Sequence, residues 1–330
     1  MTDYSLFTKQ NDTSYTAAIV YVDDVIVAGN DPLVISFLKA FLNEHFGIKD
    51  IGPPSFFLDL EVTRTDLGIF LSQEKYIRGI LQDTGMIDFK PAPTPMECQR
   101  HFTDSSSPSL TDPTQYRQLV GRLVYLTIIR PDLCFAVNCL SQFLHDPNTE
   151  HLDVALRVVR YLKGTSSFGI FMAAQNDLIL RGFCDSDWSS CPLTRHSTTS
   201  YITMLGNSPI SWKTKKQHTV SHSSAEAEYR AMAVTTSELL WLKRLLAELT
   251  ISVNSIPLHC DSKTALHIAT KPVFHERTKH IKIDCHFVRD HVQQGTIHPQ
   301  HLPSYNQSVD LFTKALNSDQ FHHLLSKLDI

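Results

Sequence analysis

The chain has 330 residues, 42% hydrophobic and 19% charged, with a formal net charge of −4. That profile fits a globular protein of about two domains and excludes a long disordered chain or a uniformly basic nucleic-acid coat, though not a local basic groove. No apolar run reaches the roughly 18 residues of a membrane span, residues 1–10 carry no secretory signal, and seven cysteines without a Cys-x-x-Cys pair fit reduced thiols in an intracellular compartment, cytoplasm or nucleus. The first predicted elements are two β-branched runs, residues 17–20 and 25–28, the second ended by Gly29-Asn30-Asp31-Pro32. They read as a hairpin with Asp23 and Asp24 at its tip. Asn-Gly or Asp-Gly is the usual turn there. Adjacent carboxylates repel instead, and a divalent cation would relieve the repulsion. A solvated Asp-Asp turn is the plain alternative.

Residues 33–46 have helical spacing, with Leu33, Phe37, Leu38, Phe41 and Leu42 on one face and Gly47 as the stop. Residues 56–62 and 68–71 read as paired strands, and 73–82 as a helix. Residues 90–113 hold Pro91, Pro93, Pro95, Ser105, Ser106, Ser107, Pro108 and Pro113, the composition of a loop or linker. Residues 116–126, 131–143 and 153–162 are apolar-periodic helices, the last ended by Lys163-Gly164-Thr165.

From Leu178 the pattern changes. Residues 181–185, 197–205 and 209–212 read as strands, the last two joined through Gly206-Asn207. A long helix follows over 224–249, then a strand over 256–260, two shorter helical stretches, a strand over 296–302 and a helix from near Ser308. This order predicts an α/β (α+β) fold with a mixed five-stranded sheet and helices on its faces.

Carboxylates at costly positions mark candidate chemistry. The long helix has a stripe at Glu228, Met232, Thr235, Leu239, Leu242 and Leu246. Glu228 opens a largely apolar, sheet-facing stripe, and a buried charge needs a partner. Glu226 fits a capping box with Ser223 as N-cap, so Glu226 is assigned to the cap and Glu228 to the site. Asp261 ends the apolar strand Ile256-Pro257-Leu258-His259-Cys260, a common ligand position in α/β folds. It also suits the cap of the next helix. Asp310 sits near the start of the last helix, where the dipole alone favours it. Asp185 ends the first strand of this half, within Asp185-Ser186-Asp187-Trp188. His275, His280, Cys285 and His286 match no standard zinc spacing.

Two sets of motifs resemble copia-type LTR retrotransposon Pol polyproteins. Tyr21-Val22-Asp23-Asp24, continued by Val25-Ile26-Val27-Ala28-Gly29-Asn30-Asp31, resembles the polymerase motif of their reverse transcriptases. Tyr116-Arg117-Gln118-Leu119-Val120-Gly121, Arg130-Pro131-Asp132 and Arg160-Tyr161-Leu162-Lys163-Gly164-Thr165 resemble their thumb and connecting segment. Phe183-Cys184-Asp185-Ser186-Asp187-Trp188, Ser197-Thr198-Thr199-Ser200-Tyr201, Ser211-Trp212-Lys213, Ser223-Ser224-Ala225-Glu226-Ala227-Glu228-Tyr229 and Arg277-Thr278-Lys279-His280-Ile281 resemble their ribonuclease H domain. Nearly the whole chain is covered.

The resemblance implies a C-terminal part of the reverse-transcriptase palm and primer grip over 1–90, a Pro/Ser-rich linker over 91–115, a helical thumb and connection over 116–177 and a ribonuclease H-like domain over 178–330. Asp23 would hold magnesium and Asp24 support it, but the fingers and another metal-binding aspartate are expected upstream, so these two are expected to be a vestigial site that does not polymerise DNA by itself. The family has Phe-Leu-Gly-Ile-Glu where this chain has Phe57-Leu58-Asp59-Leu60-Glu61, which puts the primer grip in question. Asp185, Glu228, Asp261 and Asp310 correspond to the ribonuclease H catalytic and metal-binding set. The implied cofactor is Mg²⁺, with Mn²⁺ as the alternative, and the implied substrate is the RNA strand of an RNA–DNA hybrid. Arg195, Lys213, Lys215 and Lys216 are the expected phosphate contacts. A mobile histidine of cellular relatives has no counterpart in 302–307, although His301 starts that loop. Other Pol-derived chains are further candidate partners; a membrane is not. The competing reading is a catalytically inactive nucleic-acid-binding or structural remnant. A metal-dependent glycosyltransferase rests on Asp185-Ser186-Asp187 alone and lacks a nucleotide-sugar signature.

Overall fold

A computed structural model describes residues 2–98, 107–191, 193–271 and 281–328. Arg277, Thr278, Lys279 and His280 of the motif quoted above, together with His275 and residues 99–106 of the Pro/Ser-rich stretch, lie outside the described residues.

Strands β1 (Leu6–Gln10), β2 (Tyr15–Tyr21) and β3 (Asp24–Gly29) form an antiparallel sheet in that order. Tyr21 pairs with Asp24, so the tip of the hairpin is Val22-Asp23 and Asp24 already belongs to the strand. Val22 takes φ 51°, a left-handed backbone that a β-branched side chain adopts only under strain. Helix α1 (Pro32–Phe46) starts at a proline, with the Asp31 carboxylate accepting from the amides of Leu33 and Val34, and stops at Gly47 with φ 66°. Its apolar face is not buried: Leu33 is 83% and Phe37 71% exposed. Periodicity identifies an apolar face, not what covers it.

Strands β4 (Phe56–Phe57), β5 (Leu60–Thr65) and β6 (Gly68–Ser72) form a meander, followed by α2 (Glu74–Asp83). Leu58 and Asp59 make the β4–β5 turn with φ 49° and 57°. Both central residues of this two-residue turn are left-handed, which explains why glycine suits position 59. Aspartate tolerates that region better than most residues, so the turn forms without the glycine.

The described parts of 90–113 do not behave as a free linker. Ala92, Thr94 and Met96 are buried. The Ala92 amide donates to the carbonyl of Arg160, and Arg157 pairs with Glu97 at 2.8 Å. Helices α3 (Thr114–Leu126), α4 (Cys134–Ser141), preceded by a 3₁₀ turn over Pro131–Leu133, and α5 (Thr149–Gly164) follow. Strand β7 (Gly169–Ala173) then pairs antiparallel with β6, closing a sheet of order β4-β5-β6-β7. Residues 116–177 are therefore not wholly helical. A five-residue apolar run directly after a helix carries too little periodicity to be told from its continuation. Inside this helical layer the guanidinium of Arg130 is fully buried and bidentate on Asp132 at 2.9 and 2.6 Å, and the Tyr161 hydroxyl donates to Asp132 at 2.7 Å.

Strands β8 (Leu180–Asp187), β9 (Thr198–Leu205) and β10 (Ser208–Lys216) run antiparallel in sequence. Helix α6 (Ser224–Glu248), β11 (Ile256–Cys260), α7 (Lys263–Thr270), α8 (Lys282–Gln293) and β12 (Ile297–His301) follow. The chain continues into the short α9 (Asp310–Thr313) and then α10 (Ser318–Leu325). The five strands form a mixed sheet of order β10-β9-β8-β11-β12, with β11 parallel to β8 and β12.

Helix α6 lies on one face, and all six residues of its expected stripe are buried. Met232, Leu239, Leu242 and Leu246 each contribute about 2 kcal/mol by leaving water. The approach is close at Gly182, where a Cβ would stand 2.7 Å from Leu239 Cδ1. Leu311 and Phe312 of α9 join Ile202, Met204 and the α2–α5 side chains in a second core. No helix among the described residues is long and apolar enough to cross a membrane.

Candidate active site

Two adjacent parallel strands bring the first pair of carboxylates together. Leu258 pairs with Gly182 and His259 with Phe183. The same register, carried on, sets Asp261 beside Asp185. Glu228 reaches them from the first turns of α6. Its Oε1 accepts from the Ser186 amide at 3.3 Å, and the Cys260 thiol donates to its Oε2 at 3.8 Å. Ligand atoms of Glu228, Cys260 and Asp261 all lie within 4.8 Å of one another. Asp261 accepts from the Ser304 hydroxyl at 2.8 Å. On the other side α9 brings Asp310, and the Thr313 hydroxyl donates to Asp185 Oδ2 at 2.7 Å. The Lys314 ammonium bridges the pair, 2.8 Å from Asp310 Oδ1 and 3.7 Å from Asp185 Oδ2.

Exposure decides what this arrangement needs. Asp185 is 2%, Glu228 7% and Asp310 4% exposed. Buried carboxylates are unfavourable without cations or donors. Burial, then Asp185, Cys260 and Asp261, push the Glu228 carboxyl up to about 10, against the Ser186 amide. Burial and Asp185 push Asp310 up to about 6, with Lys314 opposing. Burial also raises Asp187, opposed by Lys314. For Lys314 burial works against its charge, and Asp185, Asp310 and Asp187 outweigh it, so its pKa is raised. Converging oxygen donors that repel one another, already holding an internal ammonium, are a donor set suited to a hard divalent cation.

Glu226 has separate partners. The Ser223 hydroxyl accepts from its amide at 3.2 Å. Its carboxylate accepts from the His222 amide at 2.9 Å and pairs with Arg230 at 2.9 Å, so the reciprocal bond falls one residue before the N-cap. Asp23 and Asp24 are exposed at the β2–β3 hairpin, and the metal-ligating group found among the described residues does not include them.

The basic residues divide. Lys213, Lys215 and Lys216 lie on the edge strand β10 and line, with Arg230, a groove of about 500 Å³. Lys216 also reaches back to Gln142 Oε1 at 3.4 Å. Arg195 is exposed in the loop between β8 and β9, with φ 57°. The side-chain Nε2 of Gln217 ties this edge to the acidic strand and α6, donating to Ser186 Oγ at 3.3 Å and to the Ala227 carbonyl at 3.0 Å. His301 is exposed at the end of β12, opposite Cys260 in register. Sequence reasoning does not single out Lys314, Thr313 or Ser304. Only Lys314 carried a signal, its spacing of four from Asp310.

Strand order, helix placement and the converging carboxylates define a ribonuclease H-like unit within a longer α/β chain. Residues 1–98 match the family of reverse transcriptases (RNA-dependent DNA polymerases). The whole chain is 43% identical to a stretch making up 23% of the retrovirus-related Pol polyprotein from transposon RE1 of Arabidopsis thaliana, so it spans about a quarter of that relative. It is 32% identical to a putative transposon Ty5-1 protein of Saccharomyces cerevisiae, covering 72% of this chain and 78% of that one. A foamy viral protease-reverse transcriptase solved with dsDNA shares 13% identity and a TM-score of 0.43, covering 87% of this chain and 55% of that one. The chain belongs to the copia-type retrotransposon Pol family.

Proposed function

We propose that residues 178–330 hydrolyse the RNA strand of RNA–DNA hybrids by ribonuclease H-type chemistry, as an endonuclease. The observation that carries this reading is the convergence of Asp185, Glu228, Asp261 and Asp310, from two parallel strands and two helices, at the C-terminal ends of the central strands β8 and β11. Asp185, Glu228, Asp261 and Asp310 would hold Mg²⁺, or Mn²⁺, which supplies an activated water and charge for the leaving 3′ oxygen.

The chain's own groups prepare the site. The Ser186 amide, the Thr313 hydroxyl and the Ser304 hydroxyl each fix one carboxylate oxygen, so little reorganisation is left for the reaction. Lys213, Lys215 and Lys216, with Arg195, would contact backbone phosphates. Recognition then follows helix shape and 2′-hydroxyls rather than base identity. The function proposed here concerns residues 178–330 and leaves DNA synthesis aside; Asp23 and Asp24 stand exposed at the β2–β3 hairpin. The proposed domain division keeps 1–90 as palm and primer grip, 91–115 as the intervening Pro/Ser-rich segment and 116–177 as thumb and connection.

The test is incubation of the purified chain with a labelled RNA–DNA hybrid and Mg²⁺, beside Asp185→Asn. Cleavage lost in the variant supports the proposal. Equal signals in both, or none in either, favour the inactive remnant.

A further inference from the structure

Lys314 is the one ammonium placed among the converging carboxylates described above. It leaves the C-terminal end of α9 with an extended backbone, φ −136° and ψ 150°, which turns its side chain back along the helix. It donates to Asp310 Oδ1 at 2.8 Å and stands 3.7 Å from Asp185 Oδ2, its side chain 38% exposed. It therefore sits at the rim, able to swing into water without disturbing the core. On the opposite side, among the described residues, Glu228 and Asp261 have no ammonium or guanidinium partner; the Cys260 thiol lies with their ligand atoms and the Ser304 hydroxyl donates to Asp261.

We propose that Lys314 is a built-in counter-ion that competes with divalent cations for Asp185 and Asp310, so that the site loads in two unequal steps. This rests on the reading of the four carboxylates as a metal site. The Glu228–Asp261 side has no resident cation among the described residues and loads first. The Asp185–Asp310 side loads only as Lys314 leaves. The physical reason is exchange of charge: an ammonium and a divalent cation cannot occupy the same carboxylate oxygens, so occupancy by one is subtracted from affinity for the other. The released lysine is a positioning residue in this scheme. In the metal-free protein it keeps two buried aspartates from facing each other unscreened.

The test is Mn²⁺ binding, followed by electron paramagnetic resonance and calorimetry, on the full chain and on Lys314→Met, Lys314→Arg and Asp185→Asn. Wild type should show a tighter and a weaker step. Lys314→Met should tighten the weaker step by about tenfold and leave the tighter one in place. Lys314→Arg, which keeps the charge, should stay near wild type. A merely structural lysine would give a Met variant with a lower melting temperature and unchanged or weaker Mn²⁺ affinity, and that result overturns the inference. Should Lys314→Met fail to fold, Lys314→Gln takes its place with the same expectations. If neither wild type nor the lysine variants bind Mn²⁺ in a way that Asp185→Asn alters, the metal-site reading falls, and this inference with it.

Discussion

The Ser186 amide donates to Glu228 Oε1 at 3.3 Å, locking the residue after one strand carboxylate to a carboxylate on α6. A single hydrogen bond thus holds strand β8 and helix α6 at a fixed separation where both bring negative charge. The close approach of α6 at Gly182 sets the same separation from the apolar side, with Leu239 filling the space a side chain would need. The site is a compromise between packing, which favours closeness, and repulsion, which opposes it.

Removing one charge from this compromise should raise stability and abolish chemistry. Folding metal-free protein near neutral pH must protonate Glu228, whose carboxyl is pushed up to about 10, and in Glu228→Gln that cost is gone. The metal-free protein should gain about 1–3 kcal/mol, read as a higher urea midpoint. Hybrid cleavage should fall to background. A variant both less stable and active would contradict the assignment of Glu228.

The pH dependence follows from the same carboxyls. Asp310 is raised from 3.8 to about 6 and Glu228 from 4.5 to about 10. A raised carboxyl binds its proton more tightly in the folded state. Its contribution is complete below the unfolded value and is lost as pH rises through the folded value. Metal-free stability should therefore decline from pH 4 through 6, for Asp310, and from about 4.5 towards 10, for Glu228. Mg²⁺ should flatten that decline, because the folded site then prefers ionised carboxylates. Chemical denaturation at pH 5, 7 and 9 with and without Mg²⁺ checks this; a Mg²⁺ effect that is largest at pH 5 would contradict it.

The buried ion pair of the helical layer should respond differently. Asp132 accepts two bonds from the fully buried Arg130 guanidinium and one from Tyr161. Asp132→Ala leaves that guanidinium with only the Thr165 carbonyl and hydroxyl, and should cost about 3–5 kcal/mol. Circular dichroism melts of the full chain measure it.

The β4–β5 turn offers a gain. Leu58 and Asp59 both take positive φ, 49° and 57°. Asp59→Gly removes a Cβ from a left-handed position and should stabilise the hairpin by up to about 1 kcal/mol. An unchanged or lower melting temperature would mean that the aspartate side chain compensates for the backbone.

Much of the second half was legible because its elements are long and their periods unambiguous. Glu228, Met232, Thr235, Leu239, Leu242 and Leu246 repeat at helical spacing along most of the 25-residue α6, and a charge in that stripe is visible as an exception. Strand β11 stands between polar stretches and has the expected bounds. The misses are short or depend on distant partners. Strand β1 has two apolar residues followed by Thr8-Lys9-Gln10, and β7 hides behind α5. The placement of Lys314 against Asp185 depends on α9 ending after four residues, which the spacing from Asp310 does not reveal. The exposed face of α1 shows the opposite limit: Leu33 and Phe37 repeat as core residues do, yet the described residues do not cover them.

The proposed chemistry is cleavage of RNA opposite DNA by the four converging carboxylates. The direct measurement is strand-specific: a hybrid end-labelled on its RNA strand and another on its DNA strand, each incubated with the full chain and Mg²⁺, then repeated with Asp185→Asn and with EDTA. Internal cuts are expected in the RNA strand alone, leaving 3′-hydroxyl ends, absent in the variant and in EDTA. Cleavage that survives in Asp185→Asn, or an uncut RNA strand with wild-type protein shown to be folded, would contradict it.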